Sequence, residues 1–278
     1  MKKRTTFSVV PWYFTIPSLI GLALILGPLL GLLYNIPWMG LHEIIDEEVV
    51  GATQLSLVTA SISTLICGVI GAPLALTLCK VLDRSRLRGA GSLLYAIIYT
   101  PIIFSPVVSG LGLLFFWGRK GIIGAALYDA GIKITFTTTA VIIAQVFVAL
   151  PFFVASAVTT LQAIPREYEE IAEVEGAKTT KSPTGCPLPR AAPGIATGFL
   201  LSFARALGEF GATVTFAGNV KGKTETIPLS IDLAISGGNM SGALGSALML
   251  ISLYVCIFGL LGLFSVVKKL RAKASYNS

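Results

Sequence analysis

An arginine and a glutamate four residues apart, Arg205 and Glu209, stand inside an otherwise apolar run. Charge in such a setting is costly unless it is paired or faces a polar path, so this pair is the first place to look for function. Helical spacing puts both side chains on one face, where they partly neutralise each other. Two roles stay open for them: an ion pair that locks helix packing, or a pair that lines or gates the route of a solute. One does not preclude the other. Beside the pair, Ala204, Gly208 and Ala212 form a ridge of small residues that lets another helix approach closely. Other chemistry has little to work with. A single histidine, His42, excludes a His-based relay or a His-rich metal site. Cys67, Cys79, Cys186 and Cys256 are too widely spaced to indicate a metal cluster or a disulfide framework. The chain has no HExxH and no GxSxG-type serine, so nothing supports an intramembrane enzyme.

The elements that must position the pair follow from composition. Of 278 residues, 54% are apolar and only 13% charged, against about 25% charged in an average soluble domain. Mean hydropathy is +0.81. The solvent these numbers imply is a lipid bilayer. A helix crossing about 30 Å of hydrocarbon needs about 20 mainly apolar residues, and six runs of that kind occur, at 9–34, 52–78, 91–117, 138–164, 191–218 and 243–267. The first follows Lys2, Lys3 and Arg4 but is far longer than the apolar core of a secretion signal, and is read as a span. The expected fold is therefore all-α, with six transmembrane helices.

Orientation comes from the loops. Fifteen Lys and Arg residues lie at the termini and in the second and fourth loops, and five (Arg119, Lys120, Lys133, Lys221, Lys223) lie on the alternate side. That asymmetry places both termini in the cytosol and the protein in the cytoplasmic membrane. The net charge of +7 is spread thinly over these loops, as expected for contact with lipid rather than nucleic acid. The chain divides into an N-terminal part, 1–50, with the first span and an acidic external loop; a core, 51–267; and a basic cytosolic tail, 268–278. No internal repeat and no soluble domain stands out.

The longest hydrophilic stretch between spans, about 165–190, falls on the cytosolic side. Pro165 is suited to open a helix, and 166–177 reads as a short amphipathic one. Ile164, Tyr168, Ile171 and Ala172 share a stripe, with Glu169, Glu170 and Glu173 facing away and Glu175 interrupting the pattern. By charge alone this is equally a solvated acidic helix that caps two spans.

The run from Glu170 to Ala177, followed by Leu188 and Pro189, resembles the EAA motif of ABC-importer permeases. Glu170 matches the motif glutamate, Ile171 and Ala172 the two alanine positions, and Gly176 the glycine. In that family the segment is the coupling helix, here about 165–177, that docks in a groove of a cytosolic ATPase. The resemblance thus implies ATPase-coupling roles for Tyr168, Glu170, Ile171, Ala172, Gly176 and Ala177. The chain departs from the motif between Thr179 and Pro187, where Pro183, Gly185 and Pro187 would break a helix.

The fifth run carries a more specific likeness. Ala204 to Thr213, ending in Ala217, Gly218 and Asn219, is similar to the fifth span of molybdate ABC-importer permeases. The similarity continues from Gly222 to Leu229 and, more loosely, over 50–267. Sulfate and thiosulfate permeases share much of it, so a tetrahedral oxyanion is the substrate class implied, with tungstate an alternative to molybdate. The same resemblance implies the type I importer permease fold, a second permease copy as partner, two cytosolic ABC ATPase subunits that hold ATP and magnesium, and an external molybdate-binding protein. No cofactor is expected on this chain. Arg205, Gly208, Glu209 and Thr213 become the candidate path or gate residues. One intramembrane cation already paired with Glu209 suits weak transit of a dianion, because conduction requires release.

Pro101 and Pro106 in the third run and Pro151 in the fourth are expected to kink helices or free carbonyls toward a cavity. The stretch 227–235 is expected to form a short helix near the outer surface. The rival to an ATP-driven importer is an ion-coupled carrier, which would show inverted repeats and broken half-helices and would not need a docking helix.

Overall fold

A computed structural model of the chain describes residues 12–83, 88–163 and 188–276. Every regular element among them is a helix. The first, α1, spans Trp12–Tyr34. A 3-10 turn at Trp38–Gly40 leads into the one-turn α2, Leu41–Ile44, and then α3, Glu47–Asp83. Next come α4 (Arg88–Ile103), α5 (Pro106–Trp117), α6 (Gly124–Asp129) and α7 (Thr138–Gln162). The last four are α8 (Leu188–Leu207), α9 (Gly211–Phe216), α10 (Ile227–Ser236) and α11 (Met240–Tyr276).

Four of these, α1, α3, α7 and α11, are long and apolar enough to cross a membrane, and α4 with α5 makes a fifth if the bent pair is one span. The run at 191–218 was expected to be continuous. It folds instead as α8 and α9 with a gap between, and the apolar part of α8, Gly194–Leu207, falls short of a full crossing by itself. The run at 91–117 is also broken: α4 and α5 meet at a 112° bend. Pro101 lies inside α4, and Pro106 opens α5. Pro151 lies within α7 without ending it. Both α3 and α11 are 37 residues long; at about 1.5 Å per residue each runs about 55 Å, well past the hydrocarbon thickness. Their surplus turns carry Lys80 at one end and the basic run from Lys268 at the other.

The interior is built by α3, α7 and α8, and small residues let them close up. Ala60, Cys67 and Ala75 of α3 are fully buried against Ala149, Phe153 and Ala157 of α7 and Ala206 and Leu207 of α8. Where interhelical attraction rests on close van der Waals packing, such small side chains are the favoured contact residues. Phe153 and Phe199 meet edge to face with centroids 5.0 Å apart. A second cluster joins Ala140, Val141, Ala144 and Val148 of α7 to Leu113 of α5 and to Ala212 and Phe216 of α9. By contrast, α1 leaves Leu19, Leu24, Ile25 and Leu30 exposed, an outward surface for which lipid is the natural solvent.

Polar links also cross this interior. Ser63 of α3 donates to Gln145 Oε1 of α7 at 3.0 Å, and Gln145 is 1% exposed. Such bonds contribute about 0.6 kcal/mol on average between membrane helices. Gln145→Leu is therefore expected to lower the thermal midpoint of the detergent-solubilised protein only slightly, by the equivalent of about 1 kcal/mol. A loss several times larger would show that Gln145 has a further partner.

Candidate functional site

The pair at 205 and 209 lies at the break in the fifth apolar run. After Leu207 the chain tightens: the Gly208 amide still reaches Ala204 O at 3.2 Å, while the Glu209 amide turns to Ala206 O, also 3.2 Å. This i→i−3 bond is the usual way a helix closes its final turn. Two residues later α9 begins, and Glu209 Oε1 accepts a 2.8 Å hydrogen bond from the Ala212 amide. A carboxylate at that position satisfies an otherwise orphaned donor and faces the positive end of the new helix. The other oxygen, Oε2, lies 2.5 Å from Arg205 Nη2. Glu209 is 1% exposed, whereas the Arg205 side chain retains 26%. Glu209 therefore does two jobs at once: it ends the α8–α9 gap and holds the guanidinium.

Neighbouring helices fit tightly around this break. On one side Tyr254 of α11 donates its hydroxyl to Ala204 O at 3.1 Å. A Cβ on residue 208 would lie 2.3 Å from that hydroxyl, so glycine is the residue that permits the contact. Gly208→Ala is expected to push the Tyr254 hydroxyl off Ala204 O, at a cost of about 1 kcal/mol for the lost hydrogen bond, and Tyr254→Phe in the same chain should then add little further cost. Equal melting temperatures for Gly208→Ala and the parent chain would disprove this contact.

On the other side stands the break in the third run. A Cβ on Gly211 would lie 2.4 Å from Pro106 Cβ, so the start of α5 abuts the start of α9. The two broken helices thus meet at their breaks. Within this seam Ser109 and Thr213 are buried, and neither hydroxyl has a hydrogen-bond partner among the described residues. Buried hydroxyls without partners are costly and call for a ligand, water or second chain to satisfy them.

The structure thus brings together the four predicted path residues Arg205, Gly208, Glu209 and Thr213. It adds Ser109, Gly110 and Tyr254, which sequence reasoning did not single out. The only available signal was that Ser109 is the one polar side chain in the apolar stretch 106–117. The ridge of Ala204, Gly208 and Ala212 is used from two sides: Tyr254 occupies the first two residues, and Gly110 of α5 meets the third. The helix expected at 227–235 is α10, with Ile227 and Leu229 buried. Tyr168, Glu170, Ile171, Ala172, Gly176 and Ala177, with the rest of 164–187, lie outside the described residues. What is described is their setting. The segment joins the ends of α7 and α8, which are held together where Ser156 donates to Gly194 O at 2.9 Å.

Comparison with known proteins identifies the relatives of this arrangement. Residues 5–266 match the family described as binding-protein-dependent transport system inner membrane component. The molybdenum transport system permease protein ModB of Mycobacterium tuberculosis is 40% identical over 225 residues, covering 81% of this chain and 83% of that protein. The sulfate transport system permease protein CysT of Escherichia coli is 35% identical over 211 residues, 76% and 74% of the two chains. Among solved structures, a bacterial ABC transporter involved in import of the acidic polysaccharide alginate superposes with a TM-score of 0.68 at 18% identity, covering 91% of this chain and 93% of that one. At that identity the likeness is one of fold.

Proposed function

Because the chain belongs to the family of binding-protein-dependent transport system inner membrane components and is a permease subunit of an ABC importer, we propose that it carries molybdate across the cytoplasmic membrane. In this reading the chain has six spans: α1, α3, the bent pair α4 and α5, α7, the pair α8 and α9, and α11. Both termini are cytosolic. It works as a homodimer with two cytosolic ATPase subunits, which bind ATP and magnesium, and receives substrate from an external molybdate-binding protein. The segment around Glu170 acts as the coupling helix, and alternating access passes through the seam where the two broken helices meet.

The observation that carries this reading is the 40% identity to a molybdenum permease over four-fifths of the chain, which includes the broken segment from Arg205 to Thr213. Molybdate is read ahead of sulfate on the mycobacterial molybdenum permease alone, since the molybdenum permease ModB of Escherichia coli, 34% identical over 212 residues, stands level with the sulfate permease of the same organism; tungstate, a near-isostere of molybdate, is its natural competitor. Broken half-helices also suit an ion-coupled carrier, but the family places the motor on a separate subunit.

Two measurements test the proposal. Uptake of molybdate into proteoliposomes is expected only when the ATPase is co-reconstituted with ATP inside reach, and uptake by this chain alone on an ion gradient would reject the ATP-driven reading. In competition with the assembled importer, tungstate is expected to displace molybdate and sulfate to do so weakly; the reverse order would move the assignment to sulfate. The coupling role adds a third. Glu170→Ala is expected to leave the chain in the membrane but to reduce the ATPase that co-purifies with it.

A further inference from the structure

At the N-terminal end of α3 an open hollow of about 600 Å³ is lined by Glu47, Glu48, Gly51, Gln54, Lys221 and Glu225. Three carboxylates against one lysine make it net negative. Lys221 is committed, its ammonium paired with Glu48. Glu225 is not: its residue is 5% exposed, it makes no hydrogen bond or ion pair among the described residues, and it borders both this hollow and a smaller one of about 190 Å³ beside it. Burial and the nearby Glu48 carboxylate push the Glu225 carboxyl above its ordinary range, while Lys221 draws it down. A carboxyl held on a largely buried residue and opening only into these hollows is a ready partner for a cation that enters them.

The loop that presents Lys221 and Glu225 is held firmly. Thr224 Oγ1 accepts the Val220 amide at 2.7 Å and donates to Gly218 O at 2.9 Å. Asn219 donates to Leu229 O at 3.0 Å, the Ile227 amide donates to Ser56 Oγ of α3 at 2.8 Å, and Thr138 of α7 donates to Lys223 O at 2.9 Å. Gly222, at φ +72°, makes the turn between the two charged residues. The receptor is therefore preformed, which lowers the ordering cost of whatever enters it.

The charge selects the occupant. A net-negative hollow repels an oxyanion, so it is not a stop on the substrate path. Among the described residues no group of carboxylates is gathered tightly enough to hold a metal ion. What the charge suits is an organic cation. Resting on the permease reading, which makes this the outer face, we infer that the hollow receives a lysine or arginine side chain of the external binding protein, which pairs with Glu225 and competes with Lys221 for Glu48.

The test uses the permease with its ATPase in nanodiscs and the molybdate-loaded binding protein, with affinity read against ionic strength. For the parent complex, raising salt from about 50 to about 500 mM is expected to weaken binding about tenfold. Glu225→Gln, which preserves shape, should weaken low-salt binding about fivefold or more and flatten the salt dependence. Lys221→Ala, at an exposed position, should tighten binding by freeing Glu48; a purely structural loop would not give opposite signs. Affinity that ignores salt, or that is unchanged in both variants, overturns the inference. So does affinity set by millimolar calcium at constant ionic strength, which would assign the hollow to a metal. A parent chain that takes no ATPase rejects the permease reading itself, and this inference with it.

Discussion

Arg205→Ala is expected to reduce molybdate uptake by the reconstituted importer by about tenfold or more while leaving ATPase association intact, because it leaves the Glu209 carboxyl without its cation at the α8–α9 break. Glu209 is 1% exposed, and with the guanidinium gone its only described partner is the Ala212 amide. Removing one member of a buried pair costs about 3–5 kcal/mol; the 26% exposure of Arg205 places this pair toward the lower end. Glu209→Gln should be milder. Its amide oxygen can still accept from Ala212, and the unpaired guanidinium can turn to water. Glu209→Ala falls between, since it also removes the cap, worth about 1 kcal/mol. Thermal midpoints of the purified complex read this order directly. The double variant Arg205→Met with Glu209→Gln separates packing from path: stability should return and uptake should not. Normal uptake in that variant would reduce the pair to a packing device.

The second large effect lies across the seam. A Cβ on Gly110 of α5 would sit 2.6 Å from Thr215 Cβ and 3.0 Å from the backbone oxygen of Ala212. Unlike Tyr254 opposite Gly208, this neighbour is helix backbone and cannot swing aside. Gly110→Val is expected to force α5 away from α9, at a cost of about 3 kcal/mol or more, with loss of uptake. The buried hydroxyls of Ser109 and Thr213 flank the same contact, so the displacement would also open them to solvent. Measured as expression in the membrane, melting temperature and uptake together, a Gly110→Val chain indistinguishable from the parent would show that α5 and α9 do not meet as described.

Much of this could be read from residue order. Hydropathy placed the fourth run at 138–164 and the structure has Thr138–Gln162; it placed the first at 9–34 and the helix is Trp12–Tyr34. Spacing put Arg205 and Glu209 on one face, and they do pair. The breaks were harder. Pro106 announced a kink, but nothing local indicated a 112° bend. At 208–210 no proline announces anything: the run from Ser202 to Asn219 is helix-compatible throughout, apart from glycines that membrane helices often contain. The coupling segment rests on motif resemblance alone.

The positions of the long apolar helices, the charge asymmetry that predicts topology, and the presence of an internal ion pair were therefore decided by the sequence itself, because burial in lipid is a cost each residue bears wherever the chain goes. The partners of that pair were decided only in three dimensions. Glu209 can leave the helical pattern because Ala212, Arg205 and the close approach of Pro106 and Tyr254 compensate the backbone and charge it disturbs. Arg205 and Ala212 are local, four and three residues from Glu209, but Pro106 and Tyr254 arrive from segments about 100 and 45 residues away in sequence, and a compensation drawn from so far along the chain leaves no local trace in residue order.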